Sequence, residues 1–284
     1  MAARRDPALE RHLAPPAALP RPVLARVEAL RAGSWTRPHH HPWLQLSYAA
    51  AGVLTVRTRD GAFVAPRQWA VWIAAGEEHD VGSRGPARMR SLYVDPAAAP
   101  WAPGDTRVIE VSPLLRELLV EFCRRPAAYD VAGPDGRLVA VLLDALAAAP
   151  AAPFSVPIPA DPRLAAVAAG LRDDPASRLG LAGWARRAGA SERTLARLFD
   201  RETGLGFREW RLRVRLLAAL DGLERGEPVT AVALDAGFAS PSAFIAAFRR
   251  RFGRTPGALF ERREASGPRH DLAAAGLAGG RGRR

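Results

Sequence analysis

Arg193, Ala196, Arg197 and Asp200 recur at i, i+3, i+4 and i+7, so on a helix they share one face. Leu195, Leu198 and Phe199 take the opposite, apolar face. A guanidinium presents a planar fork of donors that matches O6 and N7 of guanine, and an alanine methyl can meet a thymine methyl. Seated in a major groove, Arg193, Ala196 and Arg197 would therefore read bases. A second stretch repeats the geometry with different chemistry. Pro241, Ser242, Ile245, Ala246 and Arg249 lie opposite Phe244, Ala247, Phe248 and Phe252. That face is poor in donors. It predicts methyl contacts, shape readout, and phosphate contacts from the run that contains Arg249 and Arg250. An exposed arginine taken singly is ordinary solvated surface, so the reading depends on the elements that carry it.

Those elements repeat. In Leu181–Gly204 a small residue, Ala185, stands four before Gly189, and Ala233 stands four before Gly237 in the second copy at 229–253. This is the core spacing of a helix-turn-helix, where the small residue admits a close helix crossing and the glycine takes the left-handed turn. Phe199 and Gly204 recur as Phe248 and Gly253, one residue further displaced than the Ala/Gly pair. Ser191 is positioned to cap the reading helix of the first unit. Between the units, Phe207–Arg225 carries Trp210, Val214, Leu217 and Leu220 on one face and is closed by Gly226. A helix there would be roughly 28 Å long, close to the ~34 Å between successive major-groove faces. One rigid rod could hold two readers on neighbouring grooves. Upstream, Asp161-Pro162 reads as cap and first-turn proline of a helix bearing Leu164, Val167, Ala168 and Leu171.

The charge supports that partner. The chain has 284 residues with 41 basic against 29 acidic and a formal net charge of +12. Every basic side chain is arginine, as lysine and asparagine are absent from the sequence, a bias expected of a GC-rich bacterial source. An excess of this sign on paired helix-turn-helix units reads as attraction to phosphate. The lone Cys123 excludes a disulfide framework and fits a reducing cytoplasm. No apolar run is long enough for a transmembrane helix, and the first residues are unlike a signal peptide. A cytoplasmic protein without membrane attachment is expected.

The chain then divides as follows. Residues 1–22, rich in Pro, Ala and Arg, predict a mobile arm. From 23 to 100, Leu44–Tyr48, Gly52–Thr58, Ala62–Val64, Ala70–Ile73 and Met89–Val94 predict strands, with Arg59-Asp60-Gly61 as a hairpin turn. Val23–Leu30 is ambiguous by pattern. Short strands at this spacing suggest a barrel or sandwich. Residues 101–148 predict two amphipathic helices, Ser112–Arg124 and Arg137–Ala148, whose stripes would be exposed without a partner, so a homodimer contact is expected there. Residues 149–160 hold four prolines and predict a linker. Residues 161–265 form the helical unit, and 266–284 predict a disordered basic tail. The fold class is thus α+β, a β-barrel followed by an all-α domain with two helix-turn-helix motifs.

Over residues 161–262 the chain resembles the AraC-type transcription regulators. The resemblance rests on the two A-x-x-x-G cores, Arg-Leu-Phe at 197–199, the Glu-x-G before the connecting helix, and above all GFASPSAFIAAFRRRFGRTPGAL at 237–259. It implies base contacts from Arg193, Ala196 and Arg197, and from Pro241, Ser242, Ile245 and Ala246. The last set departs from the polar residues common in the family. The N-terminal half resembles the cupin-type sensor that many such regulators carry, through His39-His40-His41, Gln45, Gly52, Trp69–Gly76 and His79. By that resemblance His39, His41, Gln45 and His79 would converge on an effector or on a divalent metal, since imidazole nitrogen and amide oxygen ligate such ions. Three readings stay open: a metal centre, a metal-free effector pocket, and a scaffold with no ligand. The implied function is a DNA-binding regulator controlled by a small-molecule effector, with RNA polymerase as a further partner and no required cofactor. The alternative is a metal-dependent cupin enzyme or metal sensor fused to a DNA-binding domain. The enzyme reading is disfavoured because no acid–base pair is clearly placed beside the histidines, although Glu77, Glu78 and Asp80 adjoin His79.

Overall fold

The computed structural model describes residues 7–11, 15–152 and 155–260. The predicted tail at 266–284, and parts of the predicted arm, lie outside them. Among the described residues, twelve strands form two facing sheets. Sheet A contains β1 (Glu10–Arg11), β3 (Trp35–Thr36), β8 (His79–Gly82), β5 (Val53–Thr58), β6 (Gly61–Pro66) and β12 (Ser155–Pro157), in that spatial order. Sheet B contains β11 (Ala151–Ala152), β10 (Arg107–Glu110), β7 (Trp69–Ile73), β4 (Leu44–Ala51), β9 (Ala87–Val94) and β2 (Val23–Leu30). The β-rich half is a cupin-like sandwich, not a closed barrel.

β4 shows how the sequence sorts its two faces. Leu44, Leu46 and Tyr48 point outward, beneath α1 (Pro113–Phe122) and α2 (Pro134–Ala147), while Ala49 joins the core between the sheets. Gln45 and Ser47 share the inward face with Ala49 by strand alternation, and both are buried. Covering both faces is why the strand reads as a nearly continuous buried run.

The helical stripes find a partner inside the monomer. Leu115, Leu119 and Phe122 of α1, with Val139, Leu142 and Leu146 of α2, pack on the outer face of sheet B. The argument that these stripes need a second subunit is therefore corrected. Within 101–148, Trp101, Leu114, Val131 and Val141 stay exposed. Region 101–148 also contains strand β10, which pairs with β7, so it is not wholly helical.

The predicted linker is corrected likewise. β11 pairs with β10, and β12 pairs with β6. Val156 is buried in the core of the helical unit while its backbone completes sheet A. Within the predicted arm, β1 pairs with β3.

The helical unit follows the caps in the sequence. Asp161 caps α3 (Pro162–Asp173), Ser191 caps α5 (Glu192–Thr203), and Ser240 caps α8 (Pro241–Phe252). α4 (Leu181–Arg187) and α7 (Val229–Asp235) are the first helices of the two units. α6 (Phe207–Glu224) joins the units, and α9 (Pro256–Phe260) follows. Gly189 and Gly237 take φ of 64° and 80°, the left-handed turns that the repeat requires. Arg215 of α6 donates to the carbonyls of Pro175 and Ser177 at 2.9 and 3.1 Å, and Arg211 donates to Leu179 O at 3.1 Å. The rod is thus pinned to the loop that leads into the first unit. No helix among the described residues is long and apolar enough to cross a membrane.

The helical unit also rests on the sandwich. Trp69 and Phe252 stand 5.9 Å apart by ring centre, Gln68 Nε2 donates to Leu259 O at 2.8 Å, and the indole N–H of Trp210 donates to Pro157 O at 3.1 Å.

Candidate functional site

The four residues singled out in the N-terminal half come together. His39 and His79 face each other in an isolated antiparallel bridge, with His39 N donating to His79 O at 3.0 Å and the reverse at 2.9 Å. His41 sits two residues on, held by Gly76 N donating to its carbonyl at 2.9 Å. His40, between them, is exposed. Gln45 enters from β4. The ring centres are 4.5 Å apart for His39–His79, 5.2 Å for His41–His79 and 6.0 Å for His39–His41.

Each imidazole is oriented the same way. Nδ1 of His39, His41 and His79 lies 2.9, 2.9 and 2.8 Å from the carbonyl oxygens of Arg37, Trp43 and Glu77. A carbonyl only accepts, so Nδ1 carries the proton and Nε2 keeps its lone pair. Burial pushes His79 down to about 3 and lowers His41 as well, so both rings are neutral near pH 7. The Oε1 of Gln45 lies 2.8 Å from Nε2 of His41 and 3.3 Å from Nε2 of His79. Nε2 of His39 is buried without a hydrogen-bond partner among the described residues. One ligand atom from each of the three histidines can be chosen so that all lie within 4.8 Å of one another.

Acceptors thus face acceptors. A cation at the centre would resolve this, because separations of 2.8 and 3.3 Å suit neighbouring ligands on an ion with bonds of about 2.0–2.1 Å. Reversing the Gln45 amide would also resolve it. Its two N–H groups would then serve His41 and His79, and its oxygen would accept from the Ser47 hydroxyl, now 2.9 Å from Gln45 Nε2. The residues fit a divalent metal, and they also fit a metal-free pocket. Tyr93, which pairs with Gln45 in register and stacks edge-on against His41 at 5.3 Å, is an added wall. Sequence spacing left Tyr93 indistinguishable from core packing.

The base-reading candidates fall on the exposed sides of α5 and α8. Arg193, Arg197, Ser242, Ala246, Arg249 and Arg250 are exposed, while Ala196, Pro241 and Ile245 are half-buried. Arg251 turns inward, and burial lowers its pKa beside Arg213 and Glu209. The triple-arginine run therefore offers two outward groups.

Comparison with known proteins agrees with this two-part layout. Residues 21–171 match the AraC-like ligand binding domain, and residues 184–262 match a helix-turn-helix domain. The transcriptional regulator NimR of Escherichia coli is 34% identical over 224 residues, covering 79% of this chain and 82% of NimR. The regulator RipA of Corynebacterium glutamicum is 40% identical over 100 residues, 35% of this chain and 30% of RipA. Among solved structures, unsaturated fatty acid-bound ToxT from Vibrio cholerae aligns over 84% of this chain and 94% of its own, at 13% identity and a TM-score of 0.35. The chain belongs to the AraC-type transcription regulators, with an N-terminal ligand-binding domain and a C-terminal DNA-binding helix-turn-helix domain.

Proposed function

We propose that His39, His41, His79 and Gln45 form the effector centre of this regulator and that they bind a divalent metal ion. The observation that supports it is that a ring nitrogen from each of His39, His41 and His79 lies within 4.8 Å of the others, with Gln45 Oε1 2.8 and 3.3 Å from Nε2 of His41 and His79 and a carbonyl against each Nδ1. That pattern is the usual outer support of imidazole ligands. Such a metal would supply a charged anchor for an anionic or oxygen-bearing effector. The chain's own contribution is to hold the rings in one tautomer, and to exclude water by burying His41, Gln45 and His79.

Metal content of the purified full-length protein tests this, beside His41→Ala. The wild type should retain near-stoichiometric metal, and the variant should lose it. Metal-free wild type that still responds to an effector would favour the reversed Gln45 amide and a metal-free pocket.

On the DNA side, Arg193, Ala196 and Arg197 of α5 read bases. Pro241, Ser242, Ile245 and Ala246 of α8 add shape and methyl contacts, and Arg249 and Arg250 hold phosphate. Effector binding shifts the population of arrangements of the helical unit on the sandwich. The chain acts in the cytoplasm, where its DNA and RNA polymerase are found, and it is a regulator without catalytic turnover. A homodimer would use the exposed Leu114, Val131 and Val141; Leu114→Glu should then lower the sedimentation coefficient to that of a monomer.

A further inference from the structure

A cavity of about 240 Å³ lies in the seam between the sandwich and the helical unit. Its floor is the outer face of sheet A, with Thr55, Arg57 and Asp80, and its roof is α6, with Trp210, Val214 and Asp221. It is distinct from the histidine centre but lies on the opposite face of the same strand, β8. His79 belongs to that centre, whereas its neighbour on β8, Asp80, lines the cavity.

Most of the polar groups here are engaged. Arg57 stands directly opposite Asp80 in the β5–β8 register. Arg84 donates to Arg172 O at 2.9 Å, and Trp210 donates to Pro157 O at 3.1 Å. Two buried or largely buried groups stand out. The Ser34 hydroxyl is buried without a partner among the described residues. The Asp221 carboxylate is drawn to Arg84 and Arg225 only through space, and burial pushes its pKa up. Trp35, Trp210, Val214 and Leu217 are among its apolar walls.

We propose that this cavity is a second ligand site, taking a small amphipathic organic cation whose ammonium or amidinium group meets Asp221 and whose flat apolar body lies against Trp35 and Trp210. An aromatic body gains by packing against an indole, and a partly desolvated carboxylate adds a charge-assisted hydrogen bond to the cationic group. An anion would lack a free buried guanidinium of this kind: Arg84 is exposed and already donates to a backbone carbonyl, so its charge is screened. Both halves of the chain line the cavity, so its ligand stabilises the present arrangement by mass action. The site does not depend on the reading of the histidine centre.

The test uses full-length protein with three matched probes, tryptamine, indole-3-ethanol and indole-3-propionate, followed by calorimetry and NMR line broadening. Tryptamine should bind saturably and about tenfold or more tighter than the alcohol, the scale of one hydrogen bond to a charged group. Asp221→Asn should abolish that preference, Ala218→Phe should fill the cavity and remove binding, and His41→Ala should change neither. The proposal is overturned if the propionate binds as well as the amine, if no probe saturates, or if Asp221→Asn keeps the preference. Two independent variants guard against one that fails to fold.

Discussion

Gly237 and Gly253 separate two costs that are usually confounded. Both take a left-handed backbone, with φ of 80° and 72°. A Cβ at Gly253 would meet nothing within 4 Å, whereas at Gly237 it would lie 2.6 Å from Ala176 Cα. Gly253→Ala should therefore cost about 1–2 kcal/mol, the left-handed penalty alone. Gly237→Ala should cost clearly more, because the second unit's turn must move away from the loop after α3. Urea midpoints of the two variants check the order, and equal losses would show that the loop yields freely. At this scale the sequence was partly informative. The Ala/Gly spacing located both turns, and the resemblance to cupins named His39, His41, Gln45 and His79, which the structure brings together. Asp221 and Ser34 left no local trace, because their isolation depends on packing between distant segments.

Among the elements, the long helices were legible and the short strands were not. Asp161 and Ser191 announced α3 and α5 through caps the structure contains, a local signal that needs no tertiary partner. β3, β8 and the strands from β10 to β12 hold two to four residues each. Runs that short carry no period, and they exist because a neighbouring strand supplies the ladder. The stripes of α1 and α2 were visible, but pattern alone could not say that sheet B would cover them. Arg197 of α5 and Arg250 of α8 are both exposed, so the proposed division between a base-reading helix and a phosphate-holding one is open to test. Arg197→Ala should relax preference at one or two base pairs by about 1–3 kcal/mol. Arg250→Ala should weaken all sequences alike and reduce the salt dependence by about one phosphate contact. Binding-site selection with a salt titration separates the two, and the reverse assignment would make α8 the reader.

For the whole molecule, the segment expected to be a free linker joins both halves. β12 completes sheet A by pairing with β6. Its central residue, Val156, is 6% exposed and packs with the helical unit's core, and Trp210 of α6 is tied to Pro157. A segment paired on one side and packed on the other can couple the two halves, whereas a chain attached to neither would couple them weakly. Val156→Ala removes two buried carbons from the helical core and loosens the strand's anchor. The expected loss is about 1.5–2.5 kcal/mol, from roughly 0.8 kcal/mol per buried carbon plus an unfilled cavity. The informative readout is where that loss falls. In calorimetry of the full chain, the transitions of the sandwich and of the helical unit should both move to lower temperature. If only the helical transition moves, β12 is an ornament on sheet A, and the route from effector to DNA must run through α6 and Trp69 instead.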